Sequence, residues 1–303
     1  MNAPVALITG GGSGIGLAVA EHLINQYGWR VAIVDIDAAR AAQEAARISP
    51  HNCLGLHADV TDYAQQSRAF LQAFEWGGNR LDLVFLNAGI GDTDSMYKDF
   101  AIDERTSLPH PVDLRVLDVN LNAVIQGVHL ARHFFSEKNN TKGGGIVITS
   151  SVLGLYPSHA IPLYSASKHG IVGLVRSCAP VYLKDKITIN SLNPMLVHTN
   201  LMPEPMSSEF HTPEQTTPMS TVLTAFDAII ADDKLTGQTM ELAMDEVIFK
   251  QQPDYSHPNI KSVLGQWGMW ERVAEPLLPR RPGENAEEVK LPAKLVIKAG
   301  VQS

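Results

Sequence analysis

The sequence predicts an α/β fold: a single doubly wound parallel sheet of about seven strands with helices on both faces. Three observations predict it. Short apolar runs alternate with longer stretches of helical spacing from the first residues to residue 242. The runs are apolar at consecutive positions, as strands covered on both faces require. The first of them passes into a helix through a glycine-rich turn, Thr9-Gly10-Gly11-Gly12-Ser13-Gly14-Ile15-Gly16.

The elements follow in order. Pro4 to Thr9 is a short apolar strand, and Ile15, Val19, Leu23 and Ile24 space a helix over 15–28. Glycines between the two permit a tight turn and let backbone approach a pyrophosphate, which rests on the helix N-terminus. The spacing is Gly-x3-Gly-x-Gly, with Gly10, Gly14 and Gly16, in place of the commoner Gly-x-Gly-x2-Gly. The second strand, 30–35, ends at Asp35, nineteen residues after Gly16. An acid there accepts hydrogen bonds from the adenosine ribose and repels a 2′-phosphate. Ile36 follows it in place of a basic residue, and Ser13 holds the loop position where a base would meet that phosphate, so the expected cofactor is NAD and not NADP. Helix 38–47, strand 52–57, helix 62–76 and strand 82–87 come next, then a polar, turn-rich stretch from Gly91 to Pro111 expected at the mouth of the site. Helix 114–137 precedes Gly143-Gly144-Gly145, a turn and not a phosphate loop because no helix follows it. Strand 144–150, helix 162–184, strand 186–192, helix 221–232 and strand 237–242 complete the domain, expected over 1–242.

The chemistry lies in Ser151, Tyr164 and Lys168, spaced Ser-x12-Tyr-x3-Lys. A phenol with an ordinary pKa near ~10 is a poor base at neutral pH. A lysine four residues on lies one turn along the same helix face, where its ammonium favours the tyrosinate. Ser151 follows the apolar strand Gly145-Ile146-Val147-Ile148-Thr149, so its hydroxyl stands at the strand's C-terminal end, where ligands bind in open α/β sheets. There it can donate to a substrate oxygen and fix it in place. A dinucleotide loop upstream of such a triplet points to hydride transfer between nicotinamide and an alcohol or carbonyl.

These residues resemble the short-chain dehydrogenase/reductase family, with its Rossmann-type sheet, from about Pro4 to Leu242. Asp59-Val60 resembles the pair that contacts adenine, and Asn87-Ala88-Gly89, after the strand Leu83 to Leu86, the motif beside the adenosine ribose. Asn120 is similar to the helix asparagine that holds a water linking the lysine to solvent. The resemblance makes Tyr164 the acid/base, gives Lys168 the nicotinamide ribose and Ser151 the substrate oxygen, and places Pro194, Val197 and Thr199 near the carboxamide. It also implies a homodimer or homotetramer through the helices near 114–137 and 162–184. Tyr164-Ser-Ala-Ser-Lys168-His-Gly-Ile-Val-Gly and Leu235-Thr-Gly-Gln are most similar to NAD-dependent 15-hydroxyprostaglandin dehydrogenases.

Two positions depart from the family pattern. Met195 follows Pro194 where the family has glycine, which puts a side chain where backbone passes the nicotinamide, with altered loop geometry expected. Pro180 falls inside the helix that carries Tyr164, about three turns past Lys168, and is expected to bend only the helix end. The segment 195–220 holds four methionines and four prolines between a strand and a helix, which reads as a substrate lid. Methionine walls adapt to apolar shapes, so the expected substrate is a mid-sized apolar alcohol or ketone, with Leu153, His159, Met195 and Met202 as candidate wall residues. His198, beside Thr199, is a further candidate to face the cofactor, whereas His22 and His169 read as structural. The extension 243–303 carries Trp267, Trp270 and a Pro-Arg-rich stretch, Pro276 to Pro282, and is expected to cover the pocket or join an oligomer interface.

Composition excludes other classes. A formal charge of −8 with no basic stripe argues against nucleic acid. No apolar run reaches the ~18–20 residues of a membrane span. The first strand begins within five residues, so no signal or transit peptide is expected. Two cysteines, Cys53 and Cys178, read as buried thiols of a reducing compartment, and a cytoplasmic protein without a metal site is expected. The reading is an NAD-dependent oxidation of a secondary alcohol. The reverse ketone reduction, a cofactor-binding scaffold without turnover, and an isomerase or dehydratase recycling bound NAD are the alternatives.

Overall fold

Alternating faces of the strands determine how the chain packs. In β1 (Val5–Thr9) the side chains of Val5 and Leu7 join one buried cluster and those of Ala6 and Ile8 the other. A strand buried on both faces must be covered by helices on both, and it is. The computed structural model describes residues 3–97, 102–136, 143–199, 201 and 215–264. In it α1 (Gly14–Tyr27), β2 (Arg30–Asp35), α2 (Ala38–Ile48), β3 (Cys53–His57), α3 (Tyr63–Trp76) and β4 (Leu83–Leu86) follow in turn. A two-residue pair, β5 (Ile102–Asp103) and β6 (Leu108–Pro109), forms an exposed hairpin within the expected mouth loop. Then come α4 (Arg115–Leu117), α5 (Ala123–Phe135), β7 (Gly144–Thr149), α6 (Pro162–Tyr182), β8 (Ile187–Pro194), α7 (Met219–Ala231), β9 (Thr239–Ala243) and β10 (Glu246–Lys250).

The main sheet has eight strands in the order β10-β9-β8-β7-β4-β1-β2-β3. All neighbours are parallel except β10, which runs antiparallel to β9. The order reverses on either side of β1 and β4, the switch point at which such sheets leave a crevice. Helices α1, α2 and α7 contribute Val19, Leu23, Ala45 and Phe226 to one face, and α3, α5 and α6 contribute Phe70, Phe135 and Ile171 to the other.

The seven expected strands are all present, and β10 is an addition. Its turn, Met244-Asp245, carries no glycine or asparagine, and Met244 takes φ +47°, a conformation the sequence did not signal. The expected helix 114–137 is interrupted. Between α4 and α5 the chain widens into a π-turn over Asp118–Asn122, a local deviation that often marks functional positions. Pro180 leaves α6 assigned without a break from Pro162 to Tyr182, ending two residues after it. Gly144 and Gly145 belong to β7 and not to a turn, paired with Ile187 and Thr188 of β8, and a Cβ at Gly144 would lie 2.6 Å from the Phe135 ring.

The expected lid, 195–220, is described only at its ends. They are tied together by a parallel bridge between Leu196 and Thr216 and by the Thr217 amide donating to the Leu196 carbonyl at 2.7 Å. Met202 lies outside the described residues. The chain divides into two units, Met1–Gln251 and Gln252–Ser303. In the second, α8 (Pro258–Leu264) is a short exposed helix, and Trp267, Trp270 and the Pro276 to Pro282 stretch lie outside the described residues. Among the described residues no helix is long and apolar enough to cross a membrane.

Candidate active site

The glycine loop leaves β1 at Thr9 and turns at Gly10, whose φ of +63° suits glycine. Gly16 faces its carbonyl so closely that a Cβ there would lie 2.4 Å from the Gly10 oxygen. The first turn of α1 therefore sits against the loop, as a phosphate cradle requires. Ser13, the N-cap of α1, makes no side-chain cap bond, which leaves the helix's leading amides to an anionic ligand.

Asn87, just past β4, ties this loop down. Its Nδ2 donates to the carbonyls of Thr9 and Gly10 at 3.3 and 3.2 Å, and its Oδ1 accepts from Thr149 Oγ1 at 2.8 Å. The amides of Asn87 and Ala88 both donate to Thr9 Oγ1. Asp35 stands at the end of β2, one oxygen accepting from the Gly12 amide at 3.0 Å and the other from the Asp37 amide at 3.1 Å. Arg40 also borders the cleft here, paired with Asp37 at 3.4 Å, a basic neighbour that the residue directly after Asp35 did not reveal. The Asp59 carboxylate is occupied by Thr61, whose amide and hydroxyl both donate to Oδ1.

The reacting half stands on β7 and α6. Ser151 follows β7, is buried, and accepts from the Leu153 amide at 3.1 Å. Tyr164 is half-buried in the first turn of α6, and Lys168 is buried one turn on. The Lys168 ammonium lies 5.4 Å from the Tyr164 ring centre and donates to the Thr149 carbonyl at 2.8 Å. Burial pushes its pKa down to about 8.

The Tyr164 phenol departs from expectation. Its pKa is raised, chiefly by burial and further by the charge of Asp92, against which the Ser151 hydrogen bond works in the lowering direction. Lys168 was expected to bring it down. Burial is the dominant influence instead, and the ammonium's hydrogen bond goes to the Thr149 carbonyl.

One cleft of about 440 Å³ joins the two halves. It brings together Gly10, Ser13, Gly14, Ile15, Asp35, Ile36, Asp59 and Val60 with Asn87, Ala88, Gly89, Tyr164, Lys168 and Thr199. Gly12 faces a neighbouring hollow, and Gly16 is buried behind the loop. Pro194, Val197, Asn120 and Ser151 stand off this cleft's wall. Asn120 occupies the π-turn, fully buried, its Oδ1 accepting from the Ile90 amide and its Nδ2 donating to the Ile90 carbonyl, both at 2.9 Å. A Cβ added to Gly89 would lie 3.2 Å from Asn120 Oδ1 and 3.7 Å from Lys168 Nζ, so both border that glycine.

Of the candidate substrate residues, Leu153 and Met195 are half-buried and His159 is exposed, and none of the three lines this cleft. The Met195 amide donates to the Leu242 carbonyl at 3.0 Å, which anchors the backbone at the departure from glycine. His198 is exposed, and His22 bonds Asp227 at 2.6 Å between α1 and α7.

Three residues escaped the sequence reading. Thr149 was read only as a strand residue, yet its carbonyl receives Lys168 and its hydroxyl holds Asn87. Asn193, fully buried in β8, donates to the Ser151 carbonyl at 3.0 Å and accepts from Ser191 Oγ at 2.9 Å. A polar side chain inside an otherwise buried strand is a usable signal, because such groups must find partners. Asp92, in the mouth loop, is the third.

A model of the short chain dehydrogenase family matches residues 4–209. The chain is 31% identical over 280 residues to prx6, a short-chain dehydrogenase/reductase from Penicillium rubens, covering 90% of this chain and 89% of that one. It is likewise 31% identical over 284 residues to the 15-hydroxyprostaglandin dehydrogenase [NAD(+)] of Mus musculus, covering 87% and 98% of the two. Among solved structures, a 3-ketoacyl-(acyl-carrier-protein) reductase from Brucella melitensis complexed with NADH superposes with a TM-score of 0.67 at 26% identity, over 79% of this chain and 96% of that one. With the glycine loop, the Asn-Ala-Gly turn and the Tyr-x3-Lys helix in one cleft, the chain belongs to the short-chain dehydrogenase/reductase family of oxidoreductases.

Proposed function

We propose that the protein is an NAD-dependent oxidoreductase that moves hydride between the nicotinamide and a secondary alcohol or ketone on a mid-sized apolar substrate. The observation that carries this reading is the single cleft that runs from Asp35 and the glycine loop to Tyr164 and Lys168. The donor set fits a dinucleotide: uncapped amides at the start of α1 for the pyrophosphate, and the Asp35 carboxylate for the ribose, where it also repels a 2′-phosphate. NAD supplies the hydride acceptor when bound.

The chain's own residues handle the proton. Ser151 holds the substrate oxygen, and Tyr164 takes its proton in oxidation or returns it in reduction. Lys168 is anchored by the Thr149 carbonyl, from which its ammonium offers remaining donors to the nicotinamide ribose. Asn120, locked to Ile90 beside Gly89, orders the route from Lys168 to solvent. The raised Tyr164 pKa keeps the phenol protonated at neutral pH, the form that gives a proton to a ketone oxygen. It favours reduction as the second reading and makes alcohol oxidation rise with pH.

A cytoplasmic homodimer or homotetramer with Leu153, His159 and Met195 facing the substrate completes the proposal. The test is NADH formation across a panel of hydrophobic secondary alcohols, with NADP run alongside. Turnover with NAD alone supports the cofactor assignment, and turnover with NADP alone overturns it.

A further inference from the structure

Helix α6, which carries Tyr164 and Lys168, begins without a cap of its own. Its N-cap residue is Ile161, whose side chain cannot accept a hydrogen bond, and Pro162 at the first position has no amide to offer. The next two amides are those of Leu163 and Tyr164. Both donate to one carboxylate from some seventy residues away in the chain: Leu163 to Asp92 Oδ2 at 3.3 Å and Tyr164 to Asp92 Oδ1 at 2.5 Å. Asp92 is half-buried and follows Gly89 by three residues, in the segment that brings Asn87, Ala88 and Gly89 to the cleft.

We propose that Asp92 is a positioning residue that clamps the first turn of α6 to the cofactor loop, and that its negative charge there opposes ionisation of Tyr164. The clamp acts on the backbone of Tyr164 itself, so a slack cap would displace the phenol relative to Ser151. A carboxylate at a helix N-terminus accepts from the leading amides, which holds it in place. The second effect is electrostatic, because a nearby like charge disfavours a tyrosinate. Among the described residues, the groups that act on Tyr164 are Asp92 from the mouth loop, Lys168 from α6 and Ser151 from the turn after β7. Of these, Asp92 is the acid.

The inference rests on Tyr164 as the proton-transfer group, and the experiment separates the two. In the full-length protein labelled with 13Cζ-tyrosine, the seven tyrosine resonances are titrated by NMR, and Tyr164→Phe identifies the one of interest. Asp92→Asn keeps a capping oxygen and removes the charge, Asp92→Ser is a second neutral cap, and Asp92→Ala removes both. In the neutral caps Tyr164 is expected to ionise at a lower pH than in the wild type. Asp92→Ala is expected to melt below Asp92→Asn. If the Tyr164 resonance titrates at the same or a higher pH in both neutral caps, or stays protonated in all of the proteins across the folded range, the proposal is overturned. If it shifts down and the basic limb of alcohol oxidation shifts with it, both readings hold. If it shifts down while the wild type turns over no alcohol or ketone, Asp92 keeps its role and the enzymatic reading falls.

Discussion

Replacing Lys168 by methionine is expected to remove activity and, against intuition, to relieve the folded protein at neutral pH. Lys168 is 3% exposed, and burial lowers its pKa from 10.5 to about 8. A difference of 10.5 − 8 = 2.5 corresponds to about 3 kcal/mol of cost for holding the ammonium charged in the folded state. The sign follows from linkage. The folded pKa is below the unfolded one, so between about 8 and 10.5 the unfolded chain binds more protons and stability rises with pH. The stability gained is full above 10.5 and lost as pH falls through about 8. Against this, Lys168→Met strips the Thr149 carbonyl of its donor at 2.8 Å, worth about 1–3 kcal/mol. That second cost does not depend on pH. Urea denaturation of both proteins at about pH 7 and about pH 10 therefore isolates the charge. The stability of the variant relative to the wild type should fall by about 2–3 kcal/mol between the two conditions. A relative stability equal at both pH values would refute the buried-charge reasoning, whatever its size at either one.

Further consequences are equally specific. Asp35→Ala removes the acceptor beside the Gly12 amide and should weaken NAD binding while narrowing its advantage over NADP, read by calorimetry with both. Asn193→Ala leaves the Ser151 carbonyl and Ser191 hydroxyl without their partner in a fully buried strand. It should cost about 1–3 kcal/mol by denaturation and lower kcat more than it raises KM. Gly16→Ala drives a methyl to within 2.4 Å of the Gly10 oxygen, so NAD binding should fall sharply by calorimetry. Alanine at Gly28, which faces open space but is strained in the αL region at φ +67°, should cost stability and leave NAD binding intact.

The parts of the site that were legible in the sequence are those whose chemistry is local. Gly10, Gly14 and Gly16 fall in one turn, Asp35 ends the next strand, and Tyr164 and Lys168 are one helical turn apart, so spacing alone places them together. The sheet was legible because runs such as Val5 to Thr9 and Gly145 to Thr149 are apolar at nearly every position, which only a doubly covered strand requires. What was not legible depends on contacts distant in sequence. Helical periodicity runs through 114–137 without interruption, yet Asn120 bonds to Ile90 within a π-turn. The cap of α6 comes from Asp92, and nothing beside Ile161 announces it except the want of a local capping residue. The Tyr164 pKa is set by burial, which a Tyr-x3-Lys spacing does not encode, so the expected lowering gave way to a rise. The strand β10 was missed because Met244 stands where a hairpin turn ordinarily has glycine or asparagine.

The measurement that bears most directly on the central claim compares the wild type with Tyr164→Phe, by NADH absorbance with a hydrophobic secondary alcohol and by calorimetry with NAD. The expected result is a loss of turnover of about 10²-fold or more with NAD affinity kept, because the phenol moves the proton and the glycine loop with Asp35 holds the dinucleotide. Turnover that survives in Tyr164→Phe would contradict the account, since the proton would then leave by another group.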